Sequence, residues 1–300
     1  MERVPMRSAG EPSQSAAFQR TLMRATALVM AMALSTAGVL AQVWNDQGAY
    51  GRVIRIDRSG FKPNAGRITF SELPLGSKNP VYVPSAYGGD ASVVTVRFGG
   101  FFMGQRRGKR SECQGGGAIT GCVMGQPSSP LTLDPHSPAT QIAADTATAD
   151  SPVLSGSPKF NGPVSMQFEP NIAGVGLLGG FFNAVKGTSI LAFDRQGRQI
   201  GGVVNLATGM EYMALVTEDG SEAIAGLQFS LVGPEPFGFA IDNLSFARRS
   251  ELQTSARPAG VGERSLGDIF KEKPGATPKS PVPSPPAAAA PTGSLKDLFR

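Results

Sequence analysis

Two cysteines, one histidine and a basic run are the residues of this 300-residue chain whose types and spacing invite chemistry. Cys113 and Cys122 are the only thiols, and two thiols with no histidine nearby do not complete a tetrahedral zinc site. In an oxidising compartment such a pair forms a disulfide, and a closed loop of about ten residues stabilises by roughly 2.5–3 kcal/mol on the chain-entropy model. His136 is the sole histidine. Asp134 lies close, but Pro135 separates the two and no Gly-x-Ser-x-Gly elbow occurs, so a Ser–His–Asp hydrolase is not supported and His136 reads as a solvated loop residue. Glu72, Glu169, Asp194, Glu211, Glu218 and Asp242 are the carboxylates available for paired acid/base chemistry on glycosides. Nothing in their spacing brings two of them together, and most fall at strand ends or turns. No phosphate-binding loop is present. A chain with no acid/base or nucleophile constellation is expected to bind rather than to catalyse.

The basic run is Arg106-Arg107-Gly108-Lys109-Arg110. It reads either as a patch for acidic polysaccharide or as a solvated loop. Lys and Arg total 28 against 23 Asp and Glu, a net charge of +5. That excess is small and scattered, which argues against nucleic acid as a partner.

The compartment is read from Ala25–Ala41. This run is apolar and uncharged, follows Arg20 and Arg24, and ends in Val39-Leu40-Ala41. A basic start, an apolar centre and small residues before the break describe a secretory signal peptide over residues 1–41, cleaved before Gln42. A single membrane anchor is the alternative, although about 17 apolar residues is the short end of a spanning helix. Met23 could serve as the start of the same signal. The expected location is therefore the periplasm or the exterior.

Residues 42–249 are punctuated by Gly, Pro, Asn and Asp between short β-prone runs. Strands are expected near Val53–Asp57, Arg67–Phe70, Val93–Phe98, Val164–Phe168, Ala173–Leu178, Ser189–Asp194, Gln199–Asn205, Tyr212–Thr217, Ala223–Leu231 and Gly238–Phe246. In the ninth, Leu227, Phe229 and Leu231 share one face and Gln228 and Ser230 the other, the period of a half-buried strand. Asp194-Arg195-Gln196-Gly197 reads as a hairpin loop. No sustained helical period appears, so the fold class is all-β, an antiparallel β-sandwich of jelly-roll type. Gly-Gly-Phe-Phe occurs twice, at Gly99–Phe102 and Gly179–Phe182. Each copy is either a strand end where Gly permits a bend, or part of an aromatic platform. Residues 105–157 break the strand rhythm and read as an irregular insert held by the disulfide.

Residues 250–300 form a Pro/Ala-rich tail expected to be disordered. It carries Ser265-Leu266-Gly267-Asp268-Ile269-Phe270 and Ser294-Leu295-Lys296-Asp297-Leu298-Phe299. Leu266, Ile269, Phe270, Leu295, Leu298 and Phe299 would be the contacts if these paired motifs dock an envelope protein bivalently.

Two segments carry a resemblance. Ile68-Thr69-Phe70-Ser71-Glu72-Leu73-Pro74-Leu75-Gly76 and Phe237-Gly238-Phe239-Ala240-Ile241-Asp242-Asn243-Leu244-Ser245-Phe246 resemble the first and last strands of secreted bacterial β-sandwich proteins that often bear a PEP-CTERM-type sorting signal. Gly174-Val175-Gly176-Leu177, Ala192–Gly197 and Ala225–Phe229 are similar to that family's central strands. The resemblance spans Arg67–Ala247, and the tail lacks the family's sorting signal. The same ends also resemble jelly-roll carbohydrate-binding modules. That likeness implies a structural calcium held by Glu72 and Asp242, with Asn243 as a further ligand. It also implies a glycan partner, for which Tyr82, Tyr87, Phe101, Phe102, Phe181 and Phe182 are the candidate stacking rings. The expected function is an exported, non-enzymatic binding or structural protein of the envelope, with a tail-borne adaptor as the alternative.

Overall fold

A computed structural model describes residues 44–88, 93–113, 115, 117–145, 151–236 and 238–253. The expected signal peptide and both tail motifs lie outside the described residues. The described residues form sixteen strands: β1 (Ala49–Gly51), β2 (Val53–Arg55), β3 (Gly66–Ile68), β4 (Val81–Tyr82), β5 (Thr95–Gly99), β6 (Arg106–Arg107), β7 (Val123–Met124), β8 (Gln141–Ala144), β9 (Pro152–Ser155), β10 (Val164–Ile172), β11 (Gly174–Phe182), β12 (Thr188–Phe193), β13 (Gln199–Val204), β14 (Gly209–Thr217), β15 (Ile224–Leu231) and β16 (Ala240–Ala247). No α-helix occurs among the described residues.

Two antiparallel sheets carry the fold. One runs β1-β13-β12-β15-β10-β5-β4, the other β2-β14-β11-β16-β9-β8 with β3 also against β16. From β9 to β16 the chain changes sheet at every connection except the β12–β13 hairpin. The two central quartets, β13-β12-β15-β10 and β14-β11-β16-β9, are the interleaved strand orders of a jelly roll. The hairpin loop closes as its residues dictate: Gly197 adopts φ +77°, and Asp194 Oδ1 accepts from the backbone N–H of Gln196 and Arg198, both at 2.9 Å.

The inner faces of both sheets meet in one large core, which includes Ile68, Phe70, Tyr82, Phe98, Met166, Phe168, Leu177, Phe229 and Phe246. Phe70, Tyr82 and Phe98 meet edge to face at 5.9–6.2 Å.

The outer faces are covered too. Phe102 and Leu131 pack on Leu191, Phe193 and Ala225 over the β12–β15 side. Ile56, Phe61 and Leu252 lie over Ala214, Val216 and Ala247 of the other sheet. The half-buried reading of β15 is therefore corrected, since every residue of this strand is buried. Gln228 faces Gln105 of the 105–157 segment rather than water, and Ser230 is buried as well. Gln228 and Gln105 exchange amide hydrogen bonds at 2.8 and 3.2 Å, and Gln228 Nε2 also donates to Ser165 Oγ at 3.0 Å. The 105–157 segment is likewise not irregular throughout. It contributes β6 to β9 and joins the second sheet through β8 and β9. Its strands are short and interrupted by Pro, Ser and Gly, which hides them from a periodicity reading.

The expected disulfide is present. Cys113 and Cys122 are bonded, with Cα atoms 6.0 Å apart. His136 is exposed, as expected of a loop histidine.

Candidate functional site

Two bulges on adjacent strands create the site. β11 pairs regularly with β14 up to Gly179 opposite Glu211, but the next pair is Phe182 opposite Gly209. One extra residue on β11 is accommodated at Gly180-Phe181, whose peptide bond is cis. The register shift inverts the faces of the strand. Phe182 turns into the core against Phe229, at 6.2 Å between ring centroids, and Phe181 turns outward with 56% of its surface exposed. Gly180 eases the close approach of the strands, since a Cβ would stand 2.4 Å from the Met210 sulfur and 3.1 Å from Gly209 O.

β16 does the same on the other side of β11. Leu177 pairs with Leu244, while Leu178 pairs with Asp242, leaving Asn243 as the extra residue at φ +51°. Asparagine tolerates this left-handed conformation better than other non-glycine residues. The bulge lets Ile241 and Leu244 both reach the core although they are three residues apart. Asp242 is left on the outer side.

The two outward side chains line one cleft of about 200 Å³ at the end of the second sheet. Phe181, Phe160 and Met210 supply apolar wall, Asp242, Asp145 and Asn183 supply polar groups, and Phe239 contributes to the lining from the core side. Lys159 Nζ lies 4.8 Å from the Phe160 ring centroid. Burial pushes the Asp242 carboxyl above the ordinary carboxylate range. Hydrogen bonds from Ser151 Oγ (3.3 Å) and Asn243 oppose that rise, and the negative charge of Asp145 adds to it. The cleft therefore offers one exposed aromatic face, carboxylate acceptors and an amide.

The wall carrying Asn183 is tied down from behind. Glu235 Oε2 accepts from Asn183 N at 2.8 Å, and Glu235 O accepts from Ala118 N in the cysteine loop at 2.8 Å. Gly121 of that loop sits so close to Phe239 that a Cβ would meet the ring at 3.0 Å.

Most of the expected stacking rings are elsewhere. Tyr82, Tyr87, Phe101, Phe102 and Phe182 are buried in the protein, and a ring must be exposed to stack on a sugar. Tyr82 and Tyr87 belong to the main core, Phe102 packs on Phe193 at 5.6 Å beneath the covering segment, and Tyr87 meets Phe246 at 5.1 Å. Only Phe181 of the six keeps its place as a surface ring. The first Gly-Gly-Phe-Phe copy is thus a strand end whose two rings are buried, Phe102 in the outer cluster, and the second copy has one ring buried and one exposed.

The expected calcium set is not assembled in this cleft. Glu72 Oε1 closes its own turn, accepting from Thr69 N at 2.8 Å and Thr69 Oγ1 at 3.0 Å, and does not line the cleft. Asn243 is the bulge residue. Among the described residues no three His, Cys, Asp or Glu side chains gather as a metal site. Phe160, Met210, Asp145 and Asn183 were not singled out from sequence. Asn183 alone had a local signal, directly after Gly-Gly-Phe-Phe.

A second cleft, of about 250 Å³, is lined by Ile54, Lys62, Glu218, Asp219, Arg249 and Leu252 among others. It presents mixed charges and no aromatic ring. The other expected carboxylates are engaged structurally: Glu211 pairs with Arg55 at 3.1 Å, Glu169 with Arg195 at 2.9 Å, and Asp194 with Arg198 at 2.7 Å.

The fold and cleft define a jelly-roll β-sandwich with both outer faces partly covered by its own chain and an aromatic, acid-lined cleft at one end. Compared with known proteins, the chain matches no family model, no curated protein and no solved structure.

Proposed function

We propose that this is an exported, non-enzymatic glycan-binding protein of the cell envelope, and that the Phe181–Asp242 cleft takes the sugar. The observation that carries the reading is the outward Phe181 ring beside Asp242, Asp145 and Asn183. A sugar presents an apolar C–H face and a rim of hydroxyls. An exposed aromatic ring receives the first, and carboxylate and amide groups receive the second. The resemblance of the first and last strands to carbohydrate-binding modules and to secreted bacterial β-sandwich proteins supports the same reading, as an analogy of fold only.

A glycan array probed with the intact chain and with Phe181→Ala tests it. The intact chain should bind a subset of oligosaccharides. The variant should bind them about 2- to 13-fold more weakly, the factor expected for losing an aromatic contact worth about 0.5–1.5 kcal/mol. Silence across bacterial and plant glycans, or equal binding by the variant, would remove the cleft from consideration. Release of reducing ends from a bound oligosaccharide would make the protein an enzyme instead.

A further inference from the structure

We infer that the disulfide-braced basic loop is a second, separate binding surface, built for a polysaccharide that carries carboxylates and engaging it through Arg107, Lys109 and Arg110. The inference rests on the loop's geometry and not on the cleft. Arg107 ends β6, which pairs with β7, and the chain then turns through Gly108. Gly108 lies directly on the disulfide: a Cβ there would stand 2.4 Å from the Cys113 sulfur and 2.6 Å from that of Cys122. Gly108 N also donates to Cys122 O at 2.9 Å. With the sulfurs filling the inner side, the side chains flanking Gly108 are directed to solvent, and Arg107, Lys109 and Arg110 are all exposed.

The one acid of the loop is already committed. Both Glu112 oxygens accept from the Arg106 guanidinium, at 2.6 and 2.8 Å, and Lys109 N donates to Glu112 Oε2 at 2.7 Å. These bonds hold the Glu112 carboxyl at about 2, well below the usual carboxylate range. Arg106 is neutralised in place. The other three cations make no ion pair among the described residues. Three like charges on so short a stretch repel one another, and a flexible loop would spread them. Here a cross-link and a carboxylate clamp hold them together, so little ordering cost remains when an anion arrives.

The geometry favours a dissolved polyanion over a lipid surface. Membrane docking by a basic segment is usually reinforced by large apolar side chains that enter the headgroup boundary. None of the large exposed apolar residues falls between Gly104 and Cys122. Two guanidinium groups offer planar paired donors that match a carboxylate.

The test is binding of the intact chain to polygalacturonate at low ionic strength, with neutral dextran and phosphatidylcholine/phosphatidylglycerol vesicles in parallel. The intact chain should bind polygalacturonate and not dextran, with affinity falling as salt rises. The combined variant Arg107→Ser, Lys109→Ser, Arg110→Ser should melt like the parent and bind roughly a hundredfold more weakly, a factor of about five per cation removed. Phe181→Ala should leave polygalacturonate binding unchanged, which separates this surface from the cleft. No binding by the intact chain, an unchanged affinity in the triple variant, loss of binding in Phe181→Ala, or tighter binding to vesicles would each overturn the inference.

Discussion

Replacing Phe181 or Phe182 by alanine should have opposite consequences, although the two residues are adjacent and chemically identical. Phe182 is 2% exposed and packs on Phe229 and over Gly179. Its truncation leaves a cavity in the main core, and losses for such changes run about 3–5 kcal/mol. In a domain of this size each kcal/mol moves the melting temperature by about 2–4 °C, so a fall of roughly 6–20 °C is expected. Phe181 is 56% exposed and keeps much of its hydration in the folded state. Its truncation should change stability by no more than about 0.5 kcal/mol. Thermal unfolding followed by circular dichroism reads both values on the same day and buffer. If Phe181→Ala costs as much as Phe182→Ala, or if the order is reversed, the register shift at Gly180-Phe181 is misplaced. The cleft as described would then lose its aromatic wall.

Three further outcomes follow from the same geometry. Cys122→Ser opens a loop closed across a sequence separation of 9; unfolding titrations should show a loss of about 2.7 kcal/mol from chain entropy. Gln228→Ala strands the Gln105 Nε2 donor under the covering segment, while Ser165 Oγ keeps its bond to Gly100 O, and should cost about 1–3 kcal/mol by the same titration. Asp242 has its carboxyl pKa raised by folding, so the native state holds that proton more tightly and the group's effect on stability worsens as pH rises from its ordinary 3.8 through the raised value. Asp242→Asn should therefore melt above the parent at neutral pH, with the gap closing below 3.8.

The sandwich itself was legible because its signal is the alternation of large apolar residues. Val175 and Leu177, or Leu227 and Phe229, mark an inner face at period two, and each of the ten expected strands has a counterpart. What alternation does not report is the chemistry of the outer face. Gln228 and Ser230 look like a solvated face from their types, yet both are buried, Gln228 against Gln105 from more than a hundred residues earlier in sequence. The same blindness misplaced the aromatics. Tyr82 and Phe102 come from short strands and connections where no period is established, and their destination depends on which surface the chain folds back upon.

The cleft was illegible for a sharper reason. Continuing the β11 pattern from Val175 and Leu177 puts Phe181 inside and Phe182 outside. Continuing β16 backward from Phe246 and Leu244 puts Asp242 inside and Ile241 outside. Both assignments are inverted, and in each case by a single extra residue. The cues were present only as residue types that tolerate the required backbone: the glycine pair before Phe181 and the asparagine after Asp242. A bulge in one strand alone would have turned out an isolated ring or an isolated acid. Two bulges on neighbouring strands turn both toward one cleft, so the departures from period two are what build the site. Any homologous chain that kept the sandwich but lost either extra residue would bury Phe181 or Asp242, and the glycan reading of the cleft would not extend to it.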